Sequence, residues 1–345
     1  MKPFLAITMG DPSGIGPEIS VKALKNDEVY AKCVPIIIGD YEALKIANEI
    51  TKTNYKLHEI KNPSEALGEK GTIDFINLSF LSPENWEMKK VNKVSGDAAF
   101  NYVVTGIKLA MENKVQGVIT GPINKEAIHL AGHNYSGHTE IFADYTNTKD
   151  YGMVLMNDKI KVIHATTHVS MRKACDLITE ERIYKVIHLA YDSLKVMGIE
   201  NPKIGVAGLN AHASENGLFG EEEAKAIIPA ISKAQEEGIS VEGPIPPDTV
   251  FVKAVAGKYD IVVAMYHDQG HIPLKLLSFS FDSNNTSVKG INYTAGLPII
   301  RVSVDHGTAF DIAGENIASE QSLIDSIILG AKIAEQKIKD QNYWN

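Results

Sequence analysis

Cysteine is nearly absent: the 345 residues include only Cys33 and Cys175. They stand in no metal or redox spacing, so a disulfide framework is excluded and a reducing, cytoplasmic setting is expected. Long hydrophobic runs are missing too. No stretch approaches the roughly 18 apolar residues of a membrane helix. The opening Met-Lys-Pro-Phe-Leu-Ala-Ile-Thr, broken at Gly10-Asp11-Pro12, is too short for a secretory signal. No basic block occurs and the net charge is -9, so neither nucleic acid nor a membrane is an expected partner. A phosphate-binding P-loop is lacking, which disfavours an ordinary kinase or ATPase. No G-x-S-x-G elbow occurs, which leaves a serine hydrolase without support. What remains is ordinary globular composition, 44% hydrophobic and 22% charged, long enough for two domains.

Short β-branched runs alternate with longer helical periods. Phe4–Thr8, Val34–Ile38, Gly117–Thr120, Lys159–His164, Lys203–Ala207 and Tyr259–Ala264 read as strands. Helices are expected from Pro17, over Tyr41–Ile50, over Asp97–Glu112 and over Glu180–Met197. This alternation argues an α/β fold with a largely parallel core. Ser278–Tyr293, rich in Ser and Asn and without helical period, reads as a hairpin or surface loop. Five polar clusters follow predicted strands: Gly10–Glu18, Gly121–Lys125, Thr166–Arg172, Asn210–Asn216 and His267–His271. Ligands gather at the carboxyl ends of strands in open parallel sheets, so these loops are the candidate site.

Eleven histidines are present, and His168, His212 and His267 each follow a predicted strand. Three imidazoles around a divalent ion would leave a position open for water or substrate. Their spacings form no local ligand motif, so by spacing alone exposed loop histidines are the plainer reading. His164 reads as a core residue or a neighbour of ligands. His129 and His188 read as structural, His58 as exposed, and His133 and His271 as ambiguous. Ser136 or Gly137 can cap a helix, which would put the backbone N–H groups of His138 and Thr139 at its positive end, suited to phosphate or carboxylate. Met9–Glu18 is a strand-to-helix turn whose prolines break the dinucleotide G-x-G-x-x-G spacing, with Pro17 favourable in a first helical turn. Val304–Gly314 offers backbone donors, an imidazole and two carboxylates. Arg301 suits bidentate anion binding, and Lys275 a compact charge.

Ile7–Glu18, Ser136-Gly137-His138-Thr139-Glu140, Tyr266-His267-Asp268-Gln269-Gly270 and Asp305-His306-Gly307-Thr308-Ala309 occur in one order along the chain. With them the sequence resembles the PdxA family, the 4-hydroxythreonine-4-phosphate dehydrogenases, over essentially its whole length. The resemblance implies two α/β/α domains around a cleft, isocitrate/isopropylmalate dehydrogenase-like. The first would comprise residues 1–135 and 295–345, the second 136–294. It implies an NAD-dependent homodimer with the active site at the subunit interface. It further implies one divalent cation (Zn, Co, Ni or Mg) on His168, His212 and His267. Substrate contacts would fall on His138, Thr139, Lys275, Asn292 and Arg301. In the wider isocitrate and isopropylmalate dehydrogenase superfamily, similar segments make Gly14, Gly16, His306, Gly307, Thr308, Ala309 and Asp311 cofactor candidates.

Two branches of the family differ in substrate. One makes the pyridoxal phosphate precursor from 4-phosphohydroxy-L-threonine; the other oxidises D-threonate or D-erythronate 4-phosphate in sugar-acid catabolism. His133–Thr139, Glu215–Gly220 and Gly270–Leu277 are more similar to the catabolic branch, whereas Ser278–Tyr293 is longer than either branch leads one to expect. The reaction implied is oxidation of a β-hydroxy acid followed by decarboxylation, with Asp248 and Lys125 as candidates for proton transfer, each equally readable as half of a structural ion pair. The alternatives are a protein that binds or senses phosphorylated metabolites without turnover, and a metal-dependent phosphatase or an acyltransferase on the same scaffold, of which the acyltransferase would need neither NAD nor the histidine trio.

Overall fold

The computed structural model describes residues 2–282, 285–288 and 290–343. In chain order its strands are β1 (Phe4–Thr8), β2 (Val34–Gly39), β3 (Lys56–Glu59), β4 (Thr72–Asn77), β5 (Gly117–Thr120), β6 (Gly152–Met156), β7 (Lys161–His164), β8 (Ile204–Ala207), β9 (Val241–Ile245), β10 (Ile261–Ala264), β11 (Phe279–Asp282), β12 (Asn285–Val288), β13 (Ile291–Ala295) and β14 (Arg301–Val304). Helices alternate with them, so the protein is α/β as the sequence pattern indicates.

The chain divides into two compact units, Met1–Lys149 with Leu297–Asn345, and Asp150–Gly296. The sequence reading divides it at 135/136 and 294/295 instead. Helix His138–Tyr145 belongs to the first unit, where it packs on helix Lys93–Met111.

The first unit holds six parallel strands in the order β3-β4-β2-β1-β5-β14. Leu5, Ile7, Ile36, Ile37, Ile38, Val118 and Ile119 are all fully buried, because helices cover both faces of a parallel sheet and each strand becomes an unbroken apolar run. Helix Gly16–Ala23 opens with proline in its first turn, where the missing N–H has no intrahelical partner to lose. Helix Lys93–Met111 begins a turn before the expected Asp97, because Asn92 caps it by accepting from the Val94 and Ser95 N–H groups.

The second unit is mixed: β13-β6-β7-β10-β8-β9, antiparallel across β13-β6-β7 and parallel from β7 to β9. Val154, Val162, Ile163, Val206, Val262 and Val263 fill its core. Helix Glu180–Val196 starts at a Thr179 cap. β11 and β12 pair as an antiparallel hairpin within the Ser278–Tyr293 stretch, of which Ser283, Asn284 and Lys289 lie outside the described residues. Among the described residues no helix is long and apolar enough to cross a membrane.

Candidate active site

All five polar clusters begin just beyond the carboxyl ends of parallel strands. Gly10–Glu18 follows β1 and Gly121–Lys125 follows β5 in the first unit; Thr166–Arg172, Asn210–Asn216 and His267–His271 follow β7, β8 and β10 in the second. That is the edge where such sheets bind ligands.

In the first unit a buried cation reaches toward this edge from the start of β14. Arg301, 2% exposed, donates from Nη2 to the Thr120 hydroxyl at 3.1 Å and lies over the Phe142 ring. Burial lowers its pKa to about 9, against the pull of Glu140, so it stays charged at neutral pH. His138 opens helix His138–Tyr145 behind a Gly137 cap without side-chain bonds. Its Nε2 is shielded from water and has no hydrogen-bond partner among the described residues, although the residue's rim is half-exposed. Burial first, then the charge of Arg301, hold its pKa well below the usual histidine range, so the ring is neutral. Thr139, half-buried, follows in the same first turn. A buried guanidinium, a neutral imidazole with an unused nitrogen and a helix amino end together suit an anionic, hydroxylated ligand.

The Gly10–Glu18 turn is bound to the Val304–Gly314 segment rather than open to solvent. Ile15 N–H donates to Thr308 O at 2.9 Å, and a Cβ on Gly14 would lie 2.5 Å from the same oxygen. A Cβ on Gly16 would lie 2.1 Å from Met9 O. Packing within the chain therefore requires both glycines. Buried Glu18 accepts from the N–H groups of Asn316 and Ala318, fixing the same segment. Beyond it, His306 is half-buried, Gly307 and Asp311 are exposed, and Ala309 is left-handed at φ 41°. Lys89 Nζ donates to Asp311 O at 3.1 Å and pairs with Glu315 at 2.6 Å.

In the second unit the histidines partly converge. His168 and His267 have ring centroids 5.8 Å apart, within reach of two ligands of one ion. His267 does not lie in a turn: it begins helix His267–Ser278, which runs on past Pro273, and its Nδ1 pairs with Asp268 at 2.6 Å. His271 stacks on His267 with centroids 3.7 Å apart, and buried His164 lies 4.6 Å from His271. Burial, then the charges of His271 and His267, push His164 down to about 3. A Cβ on Gly270 would lie 2.3 Å from His164 Nε2, so only glycine fits against the ring there.

His212 stands apart. It is exposed, bonds Glu215 at 2.9 Å and lines a different cavity from His168 and His267. Among the described residues of one chain, no three His, Cys, Asp or Glu side chains form a metal-holding group. His212–Asn216 are five consecutive residues at positive φ, without a glycine among them. Such backbone persists only where its surroundings hold it. Here buried Glu223 accepts from the Leu209 and Asn210 N–H groups, and Ser214 Oγ donates to Gly220 O.

Lys275 lies half-buried in the last turn of helix His267–Ser278. Asn292, in β13, has a buried Oδ1 with no partner among the described residues, a second orphaned acceptor among the substrate candidates. Asp248 and Lys125 are exposed in the first turns of their helices, one in each unit, and neither forms an ion pair among the described residues.

Sequence reasoning missed Asp11, Glu223 and the packing role of His271. Asp11 is wholly buried; its Oδ1 accepts from Ser13 N–H, its Oδ2 has no partner among the described residues, and burial pushes its pKa up to about 7. Of the remaining histidines, His58 is not exposed but half-buried against Asp74, and His133 stacks on Phe100 while bonding Asp97.

Fold and site define an α/β protein with an anion site and a set of histidine loops at strand carboxyl ends, and the comparisons narrow that class. The family model "Pyridoxal phosphate biosynthetic protein PdxA" matches residues 31–330. The chain is 50% identical to the D-threonate 4-phosphate dehydrogenase of Salmonella typhimurium over 332 residues, covering 96% of this chain and 98% of that protein. It is 45% identical to the enzyme of the same name from Cupriavidus necator, covering 97% and 98%. The crystal structure of 4-hydroxythreonine-4-phosphate dehydrogenase from Klebsiella pneumoniae superposes with a TM-score of 0.85 at 45% identity, covering 97% and 98%. The chain belongs to the PdxA family and is an oxidoreductase acting on a CH–OH group.

Proposed function

We propose that the chain oxidises and decarboxylates a 4-phosphorylated 3-hydroxy acid, D-threonate 4-phosphate or its D-erythronate isomer in preference to 4-phosphohydroxy-L-threonine, in the cytoplasm, as a homodimer using NAD and one divalent cation. The observation that carries it is the buried Arg301, which opens β14 and whose side chain reaches the Thr120 hydroxyl at the carboxyl end of β5, near a neutral His138 whose Nε2 has no partner among the described residues. The Salmonella typhimurium and Cupriavidus necator relatives, at 50% and 45% identity, are named for D-threonate 4-phosphate, which supports that branch, while the Klebsiella pneumoniae structure at 45% is named for the hydroxythreonine substrate.

His168, His212 and His267 fit a cation of borderline softness, and neutral imidazole is the ligand form. His212 lines a different cavity from the other two within one chain, so a second copy completes the set. Ile272 and Leu276, 65% and 78% exposed and one turn apart on the His267 helix, offer the apolar face such a dimer would cover. Zn, Co and Ni suit these ligands better than Mg. The bound cation would supply Lewis acidity toward substrate oxygens, and NAD a hydride acceptor.

Arg301 and Lys275 hold the two anionic ends of the substrate, and Asn292 Oδ1 and His138 Nε2 take its hydroxyls. Thr139 adds a backbone donor at the helix amino end. Gly14 and Gly16 keep the turn close against Thr308, so that His306, Gly307, Thr308, Ala309 and Asp311 present one wall to the dinucleotide. Loss of hydride and the hydroxyl proton gives a β-keto acid, which releases CO2 and takes up a proton at the same carbon. Asp248 or Lys125 handles the proton transfers.

The test is metal content and turnover of His168→Ala, His212→Ala and His267→Ala. Each is expected to lose most of its bound divalent metal and at least 100-fold in kcat, the scale on which a Lewis acid acts. Full activity with unchanged metal in any one of them removes that residue from the set.

A further inference from the structure

The first unit also carries a cavity at the opposite edge of its sheet. It has a volume of about 620 Å³ and opens where β1, β5 and β14 begin, beside Phe4, Gln116 and Ile300. Phe4, Val115, Ile299, Ile300, Ala334 and Ile338 give it an apolar wall. The active-site loops leave the other ends of the same strands, so the cavity is separate from the site described above.

Its charge is unlike that of the molecule. The chain is net -9, yet three lysines, Lys2, Lys114 and Lys337, line the cavity and, among the described residues, no Asp or Glu does. Two of the three are engaged: Lys2 donates to Tyr30 O at 2.5 Å, and Lys114 pairs with Glu112 at 2.8 Å. Lys337, half-buried on the carboxy-terminal helix, has no hydrogen bond or ion pair among the described residues. Holding a charged ammonium against an apolar wall costs free energy unless an anion faces it.

We propose that this cavity is a second ligand site, for an organic carboxylate with an apolar body: the carboxylate pairs with Lys337 and the body lies against Ile299, Ile300 and Ile338. Burial lowers the pKa of Lys337 in the unliganded chain, as expected of an ammonium short of a counter-charge. Ile300 directly precedes Arg301, so an occupant would rest against the residue before the substrate-binding guanidinium.

Octanoate and octan-1-ol are the probes, titrated calorimetrically into the full-length protein and into Lys337→Met, with dehydrogenase turnover as the check that the variant folds. The expected result is one octanoate per chain in the wild type and binding about tenfold weaker in Lys337→Met, the value of one charge-assisted hydrogen bond. Octan-1-ol should bind weakly and equally to both. Lys337→Gln is expected to behave as Lys337→Met does and serves if the methionine variant does not fold. Equal octanoate affinity in wild type and variants, or no saturable octanoate binding to the wild type, overturns the proposal. So does a variant that loses octan-1-ol together with octanoate, since recognition would then lie in the apolar wall alone.

Discussion

Asp11 gives the most exacting test of the active-site edge. Its carboxyl is wholly buried just past β1, with one oxygen bonded to Ser13 N–H at 2.8 Å and the other without a partner among the described residues. Burial raises its pKa from 3.8 to about 7. The unfolded chain ionises this group near 3.8, so folding above that pH must take up a proton or bury a charge. The contribution is therefore fully favourable below pH 3.8, falls as pH rises, and is lost by pH 7. At 1.36 kcal/mol per unit the whole cost above pH 7 is about 4 kcal/mol, of which about 2 kcal/mol accrues between pH 5.5 and 7. Asp11→Asn keeps the acceptor for Ser13 and cannot ionise. Urea denaturation at pH 5.5, 7 and 8.5 should show the variant gaining about 2 kcal/mol on the wild type between the first two values and nothing more by the third. Parallel pH profiles for the two proteins would mean that the buried carboxyl is already ionised in the folded chain, and would refute the reasoning.

Two further substitutions probe the site and the assembly. Arg301→Lys loses the planar fork and the bond to Thr120, and kcat/KM is expected to fall about 100-fold, roughly 3 kcal/mol; steady-state kinetics within threefold of wild type would contradict the anion-site assignment. Ile272→Asp with Leu276→Asp puts two charges on the exposed face of the His267 helix, and sedimentation should then report a monomer with little turnover and an unaltered circular dichroism spectrum. A wild-type monomer that turns over would remove the second copy from the metal site.

Much of the fold was legible because parallel strands are buried on both faces. Phe4–Thr8 and Gly117–Thr120 stand out as continuous apolar runs ended by glycine, and the strands found there have the same limits. β9 was not legible: Val241-Glu-Gly-Pro-Ile245 carries a glycine and a proline, which read as a turn. The His267 helix hid behind Gly270 and Pro273, both poor helix formers. Gly270 is there because His164 leaves no room for a Cβ, a tertiary reason that no local pattern carries. The active-site loops were found from their place after predicted strands, and the residue roles came from the family resemblance. Neither route could reveal the left-handed run His212–Asn216, whose sequence contains no glycine, or the unpartnered oxygen of Asp11.

The most direct test of the central claim is NADH formation at 340 nm with D-threonate 4-phosphate, D-erythronate 4-phosphate and 4-phosphohydroxy-L-threonine side by side, each with and without added divalent metal. The expected result is metal-dependent turnover of a threonate or erythronate phosphate, with the amino acid a poor substrate. Preference for the amino acid would contradict the assignment to sugar-acid catabolism, and no turnover of any of the three would contradict the proposed reaction itself.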